Sequence, residues 1–172
     1  STEELLFPGL RSPAVGRKLD RLAQRKGVVV LGTGVNPGFV MDTLAIVLSS
    51  VCCDLRAVRV RRVVDAATRR LPLQLKVGAG LTVAEFNERK ARGAIGHVGL
   101  GQSMALIAHA LGWPVERIDE GLEPVVATRT IRTKFLAVRR GQVAGIHNTG
   151  RVMSGGREVV SLDLQMYVGA KH

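Results

Sequence analysis

The chain has 172 residues, 46% hydrophobic, 23% charged and 3% aromatic, which excludes a disordered polymer and suits a soluble globular domain. Its longest apolar stretches, such as Leu44 to Leu48, fall far short of the ~18 residues that would span a bilayer, so no membrane partner is expected. The 25 Lys and Arg against 14 Asp and Glu give +11, a charge that prompts a nucleic-acid hypothesis.

The cations argue against that hypothesis by their arrangement. Arg61-Arg62, Arg69-Arg70 and Arg139-Arg140 are scattered pairs without interleaved aromatic residues, so no stacking platform for single strands is built, and zinc-finger spacing is missing. A solvated face is expected rather than a nucleic-acid partner, with contact to a phosphate-bearing cofactor left open. Cys52 and Cys53 are adjacent, a spacing that rarely meets disulfide geometry, so the chain reads as cytoplasmic. It opens Ser1-Thr2-Glu3-Glu4 with no Met and no targeting segment, and reads as a fragment.

Ser12-Pro13 supplies an N-cap and first helical position, and Val15, Leu19 and Leu22 recur at helical spacing up to Gly27, predicting a helix over 13–25. Val28-Val29-Val30-Leu31 is a β-branched run without polar alternation, predicting a strand buried on both faces, as in a parallel sheet. The Gly32–Gly38 loop follows. Phe39 to Val51 then reads as a buried helix, and Leu55 to Asp65 as a strand. Thr82-Val83-Ala84-Glu85 is a capping-box pattern whose helix should end at Gly93, and a second helix runs from about Ser103 to Leu111, closed by Gly112. From about Val115 to Val168 the chain reads as four β segments broken at Gly121–Pro124, Arg139–Gly141 and Ser154–Gly156. Leu162, Leu164 and Met166 there alternate against Ser161, Asp163 and Gln165. The expected class is α+β: a mostly antiparallel or mixed open sheet packed with helices, preceded by a short α/β remnant.

The run Val28 to Gly38, strand into Gly-rich turn into helix, has the form of a phosphate loop. Gly32 and Gly34 match the first two glycines of the dinucleotide fingerprint, and Asp54 lies where a ribose-binding acid would stand. The third glycine is misplaced: the fingerprint position holds Pro37, which lacks an N–H, and Gly38 comes one residue late. A pyrophosphate loop, a plain structural turn and a loop facing substrate or nicotinamide all remain open. His109 sits mid-helix in an apolar segment and is discounted. His97 and His147 lie in glycine-flanked contexts suited either to a site or to satisfying loop carbonyls. No cysteine or carboxylate spacing around them makes a metal site, so none is expected.

Three motifs, Gly-Thr-Gly-Val-Asn-Pro-Gly-Phe-Val-Met-Asp at 32–42, Arg-Val-Val-Asp-Ala at 62–66 and Leu-Gln-Met-Tyr-Val-Gly-Ala at 164–170, resemble the dihydrodipicolinate-reductase-like amine dehydrogenases. That group contains 2,4-diaminopentanoate dehydrogenase and the native amine dehydrogenases. The resemblance implies a two-domain enzyme using NAD or NADP, with a Rossmann domain followed by an α+β domain that supplies substrate contacts and a homodimer interface. On that reading residues 1–34 are the tail of the nucleotide-binding domain, and 35–172 are the catalytic and dimerisation domain, incomplete at its C-terminus. The fragment alone would be inactive. The implied chemistry is reversible oxidative deamination of a primary amine: a carbon-bound hydride goes to the nicotinamide, and the resulting iminium is hydrolysed to a ketone or aldehyde and ammonia.

The same resemblance assigns residues. Ser1-Thr2-Glu3-Glu4-Leu5 matches the family stretch Ser-Thr-(Cys)-Glu-Glu-Leu without its Cys, so Glu3 is the expected catalytic carboxylate and Glu4 its alternative in register. Gly34, Asn36, Pro37 and Gly38 would face the nicotinamide and substrate, with Phe39 a pocket wall. Asp65, Arg69, His97 and His147 would line the substrate site. A surface ion pair is the structural alternative for Asp65 and Arg69, an Asx turn for Asn36 and core packing for Phe39. Over Arg62–Arg70 the chain lacks the His-rich stretch and catalytic Lys of the true dihydrodipicolinate reductases, which argues against their reaction. That reductase and a non-enzymatic basic α+β binding module are the rival readings.

Overall fold

The computed structural model describes residues 5–10 and 12–170. In chain order its elements are α1 (Pro13–Lys26), α2 (Thr43–Ser49), β1 (Val58–Asp65), a 3-10 turn (Ala66–Thr68), α3 (Leu71–Lys76), α4 (Val83–Ala91) and α5 (Leu100–Ala110). Five strands follow: β2 (Arg117–Val126), β3 (Ile131–Arg132), β4 (Ala137–Val138), β5 (Val143–Ser154) and β6 (Arg157–Tyr167). A four-stranded open sheet has the order β1-β6-β5-β2, and β3 pairs antiparallel with β4, with Ile131 opposite Val138. The fold is α+β, as expected.

The elements fall into two compact units. The first holds the described residues up to Val60, Val98–Asp119 and Gly150–Leu162; the second holds Arg61–His97, Glu120–Thr149 and the described residues from Asp163. In the first, α5 is buried on nearly every face and packs against α2. Helix α1 begins with Pro13 after Ser12, whose side chain makes no capping bond. It closes at left-handed Gly27, where Gly27 N–H donates to the Gln24 carbonyl and Val28 N–H to that of Ala23.

Two expectations in this unit are corrected. Val28–Leu31 forms no strand, and its side chains are 55%, 90%, 53% and 74% exposed, because no described strand offers a hydrogen-bonding ladder beside it. The buried helix expected over 39–51 is confined to Thr43–Ser49, with Leu44, Val47, Leu48 and Val51 exposed. Asp42 fixes its start by accepting the Thr43 N–H. Its end is set where the Ser49 and Ser50 hydroxyls bond back to the carbonyls of Ile46 and Val47.

The second unit has its own core: Phe86 of α4, Ala66, Val77, Val143, Ile146 and Val168, with Leu73, Leu81 and Leu122 packed around them. The expected capping box of α4 is complete, since Glu85 N–H donates to Thr82 Oγ1 and Thr82 N–H to Glu85 Oε2. The break expected at Gly121–Pro124 is absent, and β2 runs through it. Gly121 is there for room, since a Cβ at that position would lie 2.6 Å from Thr149 Oγ1. The outward and inward residues of β6 alternate as read, with Leu162, Leu164 and Met166 buried between half-buried Ser161, Asp163 and Gln165. At the Gly155-Gly156 turn both residues have positive φ, as a tight hairpin joining β5 to β6 requires.

Candidate functional site

The Gly32–Asp42 loop is built around one buried carboxyl group. Asp42 is fully buried; its Oδ2 accepts the Gly38 N–H at 2.8 Å and the Ser103 hydroxyl at 2.7 Å, and its Oδ1 accepts the Thr43 N–H at 2.5 Å. The Thr43 hydroxyl lies 3.0 Å from the Gly38 carbonyl, so both ends of the glycine are held. Gly38 has φ +124°, and a Cβ there would meet the Gly34 nitrogen at 2.2 Å, so no other residue fits without moving the loop. The Asn36-Pro37 peptide is cis.

This arrangement is the reverse of a pyrophosphate cradle. A cradle needs successive free N–H groups pointing at the ligand. Here Pro37 has none, the Gly38 N–H is committed to Asp42, and the Val40 N–H bonds the Val35 carbonyl at 2.9 Å. A carboxyl group also sits where a phosphate would need positive potential. The fingerprint's strand is missing as well, and Asp54, the candidate ribose acid, is exposed and paired with Arg56 at 2.7 Å. Pro37 and Gly38 are buried, Asn36 is half-buried, and the Phe39 ring is 51% exposed. Glu3 and Glu4 lie outside the described residues. Leu5, which follows them in sequence, packs against Gly32, where a Cβ would stand 2.3 Å from the Leu5 carbonyl carbon.

In the second unit, Asp65 ends β1 and its Oδ1 accepts the N–H groups of Ala67 at 2.9 Å and Gly169 at 3.0 Å. No ion pair joins it to Arg69 among the described residues. The segment after it is fastened by fully buried Gln74, whose Nε2 donates to the carbonyls of Ala67 at 3.2 Å and Arg69 at 2.8 Å. Burial, and then the neighbouring Arg69 charge, hold the Arg62 guanidinium below its usual pKa. Two cations thus stand close together here without an acidic partner among the described residues.

The two histidines do not come together. Asn148, 5% exposed, accepts the His97 N–H at 3.2 Å on Oδ1 and donates from Nδ2 to the Gly121 carbonyl at 3.4 Å, tying the His97 loop to β5 and β2. His147 is its neighbour on a strand whose side chains alternate, so its ring is on the opposite face. There its Nε2 lies 2.8 Å from Asp163 Oδ1, and Asp163 Oδ2 lies 3.6 Å from Arg61 Nε. Among the described residues, no group of three or more His, Cys, Asp and Glu side chains is placed to hold a metal ion, and no helix is long and apolar enough to cross a membrane.

Sequence reasoning missed Asp42, Ser103, Gln74 and Asn148. Asp42 and Gln74 carried a signal: each is a polar residue in an apolar surrounding, and a polar side chain that must be buried demands partners.

Residues 39–168 match the family described as the 2,4-diaminopentanoate dehydrogenase C-terminal domain. The chain is 34% identical over 165 residues to 2,4-diaminopentanoate dehydrogenase of Acetoanaerobium sticklandii, a match covering 95% of this chain and 47% of that protein. Its fold is shared with an amine dehydrogenase from Mycobacterium smegmatis, at a TM-score of 0.80 and 22% identity over 98% of this chain and 50% of the other. The chain therefore spans about half the length of the relatives it matches. The family match opens at Phe39, beside the Asp42-centred loop, and runs to Val168 beyond the last strand, so the chain belongs to the 2,4-diaminopentanoate dehydrogenase C-terminal domain family.

Proposed function

We propose that this chain is the substrate-binding and catalytic portion of a cytoplasmic, NAD- or NADP-dependent oxidoreductase that deaminates primary amines reversibly. The observation that carries the reading is the family match over 39–168. Residues 1–34 would be the tail of a nucleotide-binding Rossmann domain and 35–172 the catalytic and dimerisation domain. The exposed apolar run Val28–Leu31, with Val15 and Leu22 of α1 also exposed, supports that division, since such side chains would be covered in a nucleotide-binding domain. Exposed free thiols at Cys52 and Cys53 suit a reducing compartment.

A bound dinucleotide would supply the acceptor for a hydride from the carbon that carries the amine. The loop's residues fit the nicotinamide end of that cofactor and not its pyrophosphate. With donors withdrawn from Pro37 and Gly38, the loop suits a neutral carboxamide or a cationic nitrogen, and the Asn36 amide has both a donor and an acceptor to orient either. Gly34, Pro37 and Gly38 shape that surface, and Phe39 offers a ring as pocket wall. Glu3, with Glu4 as the alternative, would hold the ammonium or iminium nitrogen and move protons during hydrolysis. Asp65, Arg69 and His97 are the substrate contacts proposed within the second unit. His147, paired with Asp163, stays a candidate substrate contact on the opposite face of β5 from Asn148.

In the full-length protein, 2,4-diaminopentanoate or simple primary amines should drive reduction of NAD or NADP with stoichiometric release of ammonia. No amine-dependent reduction with either dinucleotide would refute the reading. Light scattering should give a dimer at tens of micromolar, and a monomer would remove the dimer assignment.

A further inference from the structure

We propose that Asp42 and Ser103 are a positioning pair that holds the Asn36–Gly38 loop in its reactive place, so that α5 sets where the loop stands; this rests on reading the loop as facing nicotinamide and substrate. Asp42 begins α2, and a carboxyl group that only capped that short helix would do so from the surface, accepting the Thr43 N–H alone. Asp42 is instead fully buried, where a carboxyl group is tolerated only if each oxygen is bonded. Its partners come from three places: Thr43 beside it, Gly38 on the loop, and Ser103, 61 residues later in the buried part of α5. The Ser103 bond is the one that local chain geometry does not explain.

The consequence falls on one peptide group. The Gly38 N–H is drawn to Asp42 and its carbonyl faces the Thr43 hydroxyl, so the plane in which the chain leaves Pro37 is fixed from both sides. The loop cannot relax by sliding, because Gly38 already lies against the Gly34 backbone. Without the Ser103 donor, Asp42 Oδ2 loses one of its two partners, and its hold on Gly38 becomes free to rotate away. Neither residue touches substrate; both act through the placement of Asn36.

The test uses the full-length protein and the Ser103→Ala variant, which removes one hydroxyl and little volume, with Ser103→Thr as the variant that restores the donor. Amide exchange over the peptide spanning 34–42 should speed up about 10-fold in Ser103→Ala, the amount expected from losing one charge-assisted hydrogen bond. In steady state, kcat for amine oxidation should fall about 10-fold with KM for the dinucleotide unchanged, and the kinetic isotope effect for amine deuterated at the reacting carbon should rise. A misplaced loop slows hydride transfer in this way, whereas a smaller folded fraction lowers kcat without moving the isotope effect. Asp42→Asn should lower kcat by about 10² with the same signature. Unchanged exchange in Ser103→Ala, or faster exchange with kcat and isotope effect unmoved, would overturn the positioning role. A wild-type protein that oxidises no amine would instead overturn the function on which it rests.

Discussion

Gln74 offers the sharpest test of how the second unit holds its candidate site residues. Its side chain is fully buried on α3 and spans three connections: Nε2 to the Ala67 and Arg69 carbonyls, and Oε1 accepting from the Thr133 hydroxyl at 2.9 Å. These do not weigh equally. Thr133 can turn its hydroxyl to the Leu136 carbonyl at 3.2 Å, so that loss is recoverable, and the Arg69 carbonyl belongs to an exposed residue that water can reach. The Ala67 carbonyl is the partner left stranded, at about 1–3 kcal/mol. Gln74→Leu keeps most of the volume and removes the donors, so it should cost about 2 kcal/mol; Gln74→Ala adds a cavity and should cost about 3–4 kcal/mol. For a chain of this size that is a fall in melting temperature of roughly 5 °C for Leu and 10 °C for Ala, measured by calorimetry and by urea unfolding with an unchanged slope. A Gln74→Leu protein within about 0.5 kcal/mol of wild type would refute the reasoning, because it would mean that the Ala67 carbonyl finds water without help.

The remaining expectations follow from single groups. Glu85 is held below the usual carboxylate range, first by the Thr82 backbone N–H, then by the Thr82 hydroxyl, with Arg89 adding to the effect. A depressed folded value means the stabilisation is complete above the unfolded value near ~4.3 and is lost as pH falls through the folded one. Urea unfolding of wild type and Glu85→Gln should therefore differ above pH ~5 and converge near pH ~3. Removing the other half of the box, Thr82→Ala, should cost about 1 kcal/mol near neutral pH by the same measurement. If Arg62 and Arg69, which have no acidic partner among the described residues, receive an anionic substrate group, Arg62→Met should raise KM about 10- to 100-fold for an amine bearing a carboxylate and leave KM for a simple alkylamine unmoved. Glu3→Gln in the full-length protein should lower kcat by at least about 10² with dinucleotide affinity unchanged, and Glu4→Gln should act mildly; the reverse order would shift the register by one residue.

What could be read from the chain was whatever its neighbours in sequence decide. The capping box at Thr82 and Glu85, the stop at Gly27 and the Gly155-Gly156 turn need only a few consecutive residues, and each stands where its residue types place it. Val28–Leu31 failed for the opposite reason. Its composition states a preference for a doubly buried strand, but a strand exists only where another supplies the ladder, and no described strand lies beside this run. Gly121 misled in a different manner: a glycine ahead of Leu-Glu-Pro has turn chemistry, yet here it makes room for Thr149, a neighbour 28 positions away. Helix α3, six residues opened by Leu71-Pro72, is too short to show a period.

The candidate site follows the same division, and it shows why a motif can be recognised without its mechanics. Asn36, Pro37, Gly38 and Asp42 all lie within one motif, but from sequence Asp42 reads as a polar interruption in an apolar run and Ser103 as the start of a helix. Only their 2.7 Å contact turns an interruption into the anchor of the loop. The settings of His97 and His147 differ by parity: both are glycine-flanked, but β5 alternates, so Asn148 takes the buried side with the His97 loop and sends His147 to the other. Spacing along one strand settles which face a residue takes, and the partner across the sheet settles what that face is for. That is why Asn148, beside a histidine that drew notice, is the residue that holds the other histidine's loop in place.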